Sequence, residues 1–365
     1  MRSHNPENER VKRRYLTYLK EAKRQSESSL DAVAKALNRF EVHTGYREFK
    51  LFKVEQAIAF KRRLGEQVSE RTGEPLSKAT LYSTQNALRN FFQWLAGEPG
   101  FRSRLTYSDA EYFNLPAKDA RIATAHRDRA GPTMEQVQGV ISTMPCQTDI
   151  ERRNRALIAF TILTGVRDRA IASLKLKHVH LAEGLVEQDA REVKTKASKT
   201  ITTWFFPVPD SIRQVVIEWV DYLREDQLWG LNDPLFPATK VAQDSDRRFV
   251  PSGLARKHWS SAAPIRGIFK AAFAEAGLPY CNPHSFRKTL ARLGEELART
   301  PEEFKAWSQN LGHEQVMTTF TSYGAVGNRR QGEIMRELGA PRPQTFPTEL
   351  IKGLAEAVSK ELSAK

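Results

Sequence analysis

One segment, residues 282–324, restricts the fold of this 365-residue chain more than any other. Its pattern predicts a helix with His284 and Arg287 in the first turn, then a second helix and a turn. After the turn come His313 and, ten positions later, Tyr323, which we place on a third, short helix. Residues three positions apart share one face of a helix, so His284 and Arg287 can contact the same target. Two imidazoles, a guanidinium and a phenol that converge in this way indicate a phosphate-binding site.

The second helix of this segment has signals for both of its ends. Thr300 and Glu303 form a capping box, and Pro301 occupies the first helical position. Gly312 predicts the turn after the helix, because glycine favours the backbone conformation that ends helices. The apolar stripe at helical spacing consists of Phe304, Trp307 and Leu311.

The charge of the chain indicates a polyanionic partner. Lysine and arginine number 57 against 43 aspartate and glutamate residues, which gives a formal net charge of +14 at pH 7. Such an excess favours double-stranded DNA or another nucleic acid over an acidic membrane surface. We find no apolar run of membrane-spanning length and no signal peptide. We therefore expect no membrane partner and a cytoplasmic bacterial protein that is associated with the nucleoid when bound to DNA.

We expect no metal and no cofactor. The chain has two cysteines and eight histidines, and neither type has the spacing of a zinc site. Two cysteines also cannot build a disulfide framework. The carboxylates form no cluster at spacings that would favour magnesium. Side chains alone would have to supply the chemistry.

The length predicts two or three domains, and the first, residues 1–112, is predicted to be all-helical. Apolar residues recur at helical spacing in four stretches of this domain. Basic residues are dense on two of the predicted helices, with Lys12 and Arg13 on the first and Lys61 and Arg62 on the third. A basic face is usually only solvated, but its density here makes these four residues candidates for DNA contact.

An interdomain linker is predicted over residues 113–132, where charges alternate and apolar residues show no period. A capping box at Thr133 and Gln136 then begins the second domain, residues 133–340. Residues 341–365 are predicted to be a proline-rich spacer followed by a helix. That helix can pack on its own subunit or be exchanged between subunits.

Two further stretches of the second domain bear on function. Residues 184–193 and 200–208 predict a β-hairpin whose tip carries Lys194, Lys196 and Lys199. Residues 228–261 predict a basic loop region, in which Arg247 and Arg248 are candidates for DNA contact. Lys199 is a further DNA-contact candidate.

The candidate residues together can cleave a phosphodiester without a metal. The hydroxyl of Tyr323 would attack phosphorus, although a phenol has a pKa of about 10 and needs activation. Arg167, which follows a helix break at Gly165, and Arg287 would stabilise charge on the phosphoryl oxygens. His284 would transfer the phenol proton. The leaving 5′ oxygen needs an acid, for which one of the hairpin lysines is available, and His313 would donate a hydrogen bond to a phosphoryl oxygen.

Each component alone has a plain structural explanation. An arginine after a helix end is usually a surface residue, and a glycine before His313 is more often a helix cap than a catalytic element. Tyr323 has apolar neighbours and could be a half-buried core residue. The order and spacing of the whole set are much harder to explain by chance.

In that order and spacing the chain resembles the tyrosine recombinase (phage integrase) family. The matching motifs are Thr164-Gly165-Val166-Arg167, the lysine-tipped hairpin, His284-x-x-Arg287, Leu311-Gly312-His313 and Tyr323. Residues 133–339 resemble the catalytic domain of the family, and residues 9–112 resemble its core-binding domain. The resemblance implies a mainly α fold, with a helical core-binding (SAM-like) N-terminal domain. It implies an α+β catalytic domain with a small antiparallel sheet.

The resemblance also implies the activity, which is site-specific DNA recombination or integration, as in phage integration and transposition. Tyr323 would form a 3′-phosphotyrosine bond and free a 5′ hydroxyl. Arg167, Arg287 and His313 would hold the scissile phosphate, and His284 would assist proton transfer. The hairpin lysine would be the general acid. No ATP is needed, because the phosphotyrosine conserves the energy of the bond.

Three details of the family pattern depend on local spacing. Family hairpins favour Lys196, with Lys199 following it, and leave Lys194 as the alternative acid. Many members have an acidic residue three positions after the first arginine, whereas this chain has Ala170. The interval from the second histidine to the tyrosine is ten residues here and commonly nine in the family.

The resemblance also bears on how the protein assembles on DNA, and two alternative functions remain. The resemblance implies a homotetramer on two DNA sites, strand exchange through a Holliday junction, and room for accessory directionality or DNA-bending proteins. One alternative is a type IB topoisomerase-like enzyme, which uses similar chemistry as a monomer. The other is a non-catalytic DNA-binding relative, which would need no tyrosine at this place.

Overall fold

The computed structural model describes residues 4–69, 73–125 and 131–313. The predicted helix around Tyr323, the proline-rich spacer and the C-terminal helix lie outside the described residues. The described chain falls into two compact units, one within Met1–His126 and the other within Arg127–Lys365.

Helices make up the first unit, as predicted. They are α1 (Pro6–Thr17), α2 (Glu27–Thr44), α3 (Val54–Glu66), α4 (Lys78–Ala96) and α5 (Ala117–Thr124). Side chains of Asn5, Ser26 and Ser77 accept hydrogen bonds from the first turns of α1, α2 and α4, which explains where these helices begin. Aromatic rings fill the core, and Phe40 contacts Phe92 edge to face at 5.5 Å between ring centroids.

The predicted linker is not irregular throughout. Residues Ala117–Thr124 form α5, which packs against α4. This helix escaped sequence analysis because it is short, lacks a side-chain cap and has no fully buried residue that would produce an apolar period. Part of the segment 113–132 therefore belongs to the first unit.

The second unit combines helices with two small antiparallel sheets. Its helices are α6 (Met134–Thr143), α7 (Asp149–Thr164), α8 (Asp168–Ile171), α9 (Asp210–Asp221), α10 (Ala263–Glu275), α11 (Pro283–Leu297) and α12 (Pro301–Asn310). Its strands are β1 (Val179–His180), β2 (Leu185–Gln188), β3 (Ile201–Trp204), β4 (Ala238–Gln243) and β5 (Phe249–Ala255). Helix α7 is central, because every residue from 156 to 164 is buried. The predicted fold class, mainly α with a small antiparallel sheet, is confirmed.

The lysine-tipped hairpin is confirmed with shorter strands than predicted. Strand β2 pairs with β3, and Val186 lies opposite Thr203. Residues 189–193 form a turn instead of continuing β2, since the amide of Val193 donates to the carbonyl of Asp189 at 2.7 Å. The three candidate lysines lie in the connection that follows, which contains a 3-10 turn at Lys196–Ser198.

A second hairpin replaces much of the loop region predicted over 228–261. Strands β4 and β5 pair in antiparallel fashion, and Arg247 and Arg248 lie in the turn between them. The sequence signal was weak because β5 contains Pro251 and Gly253, two residue types that are depleted in strands. In the part of the chain described, no helix is both long and apolar enough to cross a membrane.

The contact between α11 and α12 gives a prediction about stability. A Cβ at Gly294 would lie 2.5 Å from Nε1 of Trp307, whose indole donates to the carbonyl of Leu290 at 2.9 Å. We expect Gly294→Ala to lower the free energy of unfolding by roughly 1–3 kcal/mol, because the added methyl overpacks this contact. Thermal or denaturant unfolding would measure the change.

Gly267 offers a matched control within α10. A Cβ there would meet nothing within 4 Å, so Gly267→Ala should leave stability unchanged or raise it by up to about 1 kcal/mol. Equal stability losses for the two variants would contradict the proposed close packing of α11 on α12.

Candidate functional site

The end of α7 places the first arginine of the site. Gly165 follows α7 with a left-handed φ of 62°, and Arg167 comes two residues later as the N-cap of α8. A Cβ at Gly165 would lie 3.0 Å from Leu290 Cδ1 and 3.2 Å from Leu311 Cδ2. The left-handed backbone conformation therefore favours glycine here, and the packing of α11 and the end of α12 leaves little room for a Cβ.

Arg287 is a buried arginine that connects the turn after α7 with the end of α12. Arg287 is 6% exposed, and its Nη1 donates to the carbonyl of Gly165 at 2.6 Å. Nη2 donates to the carbonyl of Leu311 and lies 2.9 Å from Nε2 of His313. Burial and then the charge of Arg167 lower the pKa of Arg287 to about 9, so the guanidinium remains charged at neutral pH. Its Nε has no hydrogen-bond partner among the described residues.

His313 lies beside positively charged arginines, and its pKa reflects their presence. Burial, followed by the charges of Arg287 and Arg167, lowers the pKa of His313 to about 4. The imidazole is thus neutral at pH 7, and its Nε2 can accept a hydrogen bond from Arg287. Cationic groups this close repel one another, and a bound phosphate would relieve that repulsion.

His284 lies in the first turn of α11, as predicted. The side chain of Asn282 accepts from the amide of Ser285 at 3.0 Å and fixes the start of this helix. Solvent reaches His284, but protein atoms crowd its imidazole. This loss of hydration, followed by the charges of Arg287 and Arg167, lowers its pKa. A neutral imidazole at this place can accept a proton.

A cavity of about 440 Å³ brings these groups together. Its walls include Arg167, His284 and Arg287, so three of the predicted site residues share one space. His313 is joined to this group through Arg287. Two residues that sequence analysis missed, Arg266 and Tyr280, also line the cavity.

Arg266 is an ion-pair partner that no motif could reveal. It lies on α10, and its Nη2 is 2.8 Å from Oδ2 of Asp168, the residue after Arg167. The two residues are far apart in the chain, so only the fold brings them together. The negative charge of Asp168 is balanced by Arg266. The positive charge of the neighbouring Arg167 is therefore not neutralised by Asp168, and it faces the cavity.

The hairpin lysines differ in their surroundings. The charge of Lys196 is among the causes that lower the pKa of His313, which places Lys196 near the phosphate-site residues. The charge of Lys194 acts on His258 instead. Both lysines are exposed. The assignment of Lys196 as the acid stays a prediction, and this difference favours it over Lys194.

The candidates for DNA contact are placed unequally. Lys12 pairs with Glu9 and with the fully buried Glu41, each at 2.5 Å, and its side chain is only 15% exposed. Lys12 is therefore engaged in holding the first unit together. Nζ of Lys61 donates to the carbonyl of Asn114 at 3.4 Å. The other candidates are exposed: Arg13, Arg62, Lys199, Arg247 and Arg248.

The fold of this chain, a helical unit followed by a mixed unit, is similar to that of solved integrases. A lambda integrase(75-356) dimer bound to a COC' core site has a TM-score of 0.57 to this chain. The two are 13% identical, and the match covers 88% of this chain and 96% of that one. A lambda integrase tetramer bound to a Holliday junction has a TM-score of 0.55 at 15% identity, with 88% and 79% covered.

Sequence comparison identifies the family. The model of the phage integrase family matches residues 133–329, more than half of the chain. Tyrosine recombinase XerD of Vibrio cholerae is 25% identical over 281 residues, which are 74% of this chain and 77% of that protein. The chain belongs to the phage integrase family of tyrosine recombinases.

Proposed function

We propose that this protein is a site-specific DNA recombinase that cuts and rejoins DNA through a 3′-phosphotyrosine intermediate. The observation that carries the proposal is the convergence of Arg167, His284 and Arg287 on one cavity, with His313 2.9 Å from the guanidinium of Arg287. Such a concentration of positive charge and hydrogen-bond donors suits the trigonal-bipyramidal phosphate of a strand-cleavage transition state. In this proposal residues 1–112 bind the DNA core site and residues 133–340 cut it.

The proposed reaction is a transesterification. The oxygen of Tyr323 forms a bond to phosphorus, and the bond from phosphorus to the 5′ oxygen breaks. The phenol proton passes to neutral His284, and Lys196 donates a proton to the leaving 5′ oxygen. Arg167 and Arg287 balance the charge on the non-bridging oxygens, and His313 donates one hydrogen bond. Attack by a 5′ hydroxyl of another strand reverses these steps and rejoins the DNA.

The proposed assembly is a homotetramer on two DNA sites. It takes its support from the fold that this chain shares with the lambda integrase tetramer on a Holliday junction. The exposed basic residues of each unit, such as Arg62 and Arg248, provide charge for DNA binding. Accessory directionality or DNA-bending proteins are compatible with this arrangement.

Covalent trapping in cells tests the proposal. The wild-type protein is expressed and denatured, its attached DNA is recovered, and the attached ends are sequenced. A recombinase yields adducts at one discrete sequence. Adducts scattered over the genome would instead favour a type IB topoisomerase-like enzyme, and tight DNA binding without any adduct would favour a non-catalytic binder.

A further inference from the structure

We propose that Glu192 is a positioning residue that holds the lysine-bearing loop of the β2–β3 hairpin in place for protonation of the leaving oxygen. This inference rests on the proposed function. Glu192 itself does not contact the reacting atoms. It acts through the segment 194–199, which begins two residues further along the chain.

The carboxylate of Glu192 gathers three donors from one short segment. Oε2 accepts from Nζ of Lys175 at 3.0 Å and from Nε2 of His178 at 3.2 Å. Oε1 accepts from Nζ of Lys177 at 2.9 Å. All three donors lie at the 3-10 turn that follows α8. Two of the donors are lysine ammonium groups and the third is an imidazole. Three such hydrogen bonds hold a carboxylate more firmly than a single surface ion pair does.

The imidazole in this network is itself fixed. Nδ1 of His178 accepts from the backbone amide of Lys175 at 3.0 Å, so the ring proton lies on Nε2 and points to Glu192. The side chain of His178 is 6% exposed, which leaves it little freedom to turn. Hydrogen bonds from Lys177 and Lys175 lower the pKa of Glu192 to about 2, so the carboxylate stays ionised at neutral pH.

The next two residues add further attachments at the same point. Val193 is buried at 2% exposure, and the amide of Lys194 donates to Oγ of Ser173 at 2.9 Å. Residues 192–194 are thus fastened to residues 173–178. The same stretch continues back through α8 to Arg167, its N-cap. The distance between the hairpin lysines and the arginine that would hold the phosphate therefore depends on this attachment.

Glu187 provides a matched control on the same hairpin. It is a glutamate on β2 whose carboxylate is 3.5 Å from His180, and its side chain is 60% exposed. Glu192→Gln and Glu187→Gln change the net charge equally. Only the first weakens the attachment of the loop.

The first readout is amide hydrogen exchange of the full-length protein without DNA. We expect Glu192→Gln to speed exchange in residues 194–199 roughly 10-fold or more, since opening of the loop becomes easier. Glu187→Gln should leave it unchanged. Unchanged exchange in Glu192→Gln would overturn the inference, whatever the protein does to DNA.

The second readout separates acid catalysis from folding or DNA binding. It uses a DNA duplex that carries the sequence recovered by covalent trapping, with sulfur in place of the bridging 5′ oxygen. Cleavage of this duplex releases a thiolate, which leaves readily without a proton. Glu192→Gln should cleave ordinary DNA at least roughly 10-fold more slowly than wild type does. This loss is smaller than the full 10²–10⁴-fold rate contribution that is typical of general acid catalysis, because the lysine is displaced and not removed. With the sulfur substrate Glu192→Gln should cleave at the wild-type rate, as should Lys196→Ala.

The outcomes distinguish this inference from the proposed function. Equal slowing of Glu192→Gln on both substrates would overturn the positioning role, while the recombinase proposal would stand. A wild-type protein that forms no covalent bond with either substrate would overturn the proposed function, and with it the role of the loop in the acid step.

Discussion

Replacing Arg287 by alanine should reduce DNA cleavage by about 10²–10³-fold, the usual effect of removing a group that stabilises transition-state charge. It should also lower the free energy of unfolding by roughly 2–4 kcal/mol, because the buried carbonyls of Gly165 and Leu311 would lose their donor. Single-turnover cleavage, measured well below the unfolding temperature, and denaturant unfolding would give the two numbers.

Two further variants separate the two roles of Arg287. Arg167 also lines the cavity, but Arg287 and not Arg167 donates to the buried carbonyl of Gly165, so Arg167→Ala should slow cleavage comparably with a smaller loss of stability. Arg292 is exposed on the same helix as Arg287, and Arg292→Ala should change stability by at most about 0.5 kcal/mol. Cleavage by Arg287→Ala at the wild-type rate would remove this residue from the phosphate site.

Tyr323→Phe should abolish covalent attachment to DNA, a loss of at least about 10⁴-fold, because phenylalanine has no oxygen to attack phosphorus. DNA binding should stay within about 2-fold of wild type and keep its salt dependence, since phosphate contacts by lysine and arginine are unchanged. Denaturing gels would report the covalent product, and titration at two salt concentrations would report binding.

Tyr280→Phe is the matched control for this loss. Tyr280 is a partly exposed tyrosine in the wall of the cavity, so it is the natural competitor for the nucleophile. We expect this variant to form the covalent product. Loss of the product in Tyr280→Phe with retention in Tyr323→Phe would transfer the nucleophilic role to Tyr280.

Local signals explain why much of this architecture could be predicted. The capping boxes at Thr133 and Thr300 begin helices where the sequence placed them, and Gly165 ends α7 as expected. Such signals act over three or four residues, so they are visible without the fold. His284 and Arg287 likewise owe their common direction to helix geometry alone, and the cavity brings both to one space.

Contacts that depend on the fold could not be predicted in this way. Arg266 meets Asp168 only because the fold brings α10 beside the start of α8, and Glu192 meets Lys175 and His178 through a turn that interrupts the predicted strand. The β4–β5 hairpin was missed for a different reason, since its proline and glycine obscure the strand pattern. The position of Tyr323 stays a prediction, as it lies outside the described residues.

The identity of the residue linked to DNA is the most direct test of the central claim. Wild-type protein is trapped on DNA, digested with nuclease and trypsin, and the nucleotide-bearing peptide is sequenced by mass spectrometry. We predict a 3′-phosphonucleotide on the peptide of residues 306–329, whose single tyrosine is Tyr323, with fragment ions that place the group on that residue. A nucleotide on Ser322, or on any peptide without Tyr323, would contradict the account.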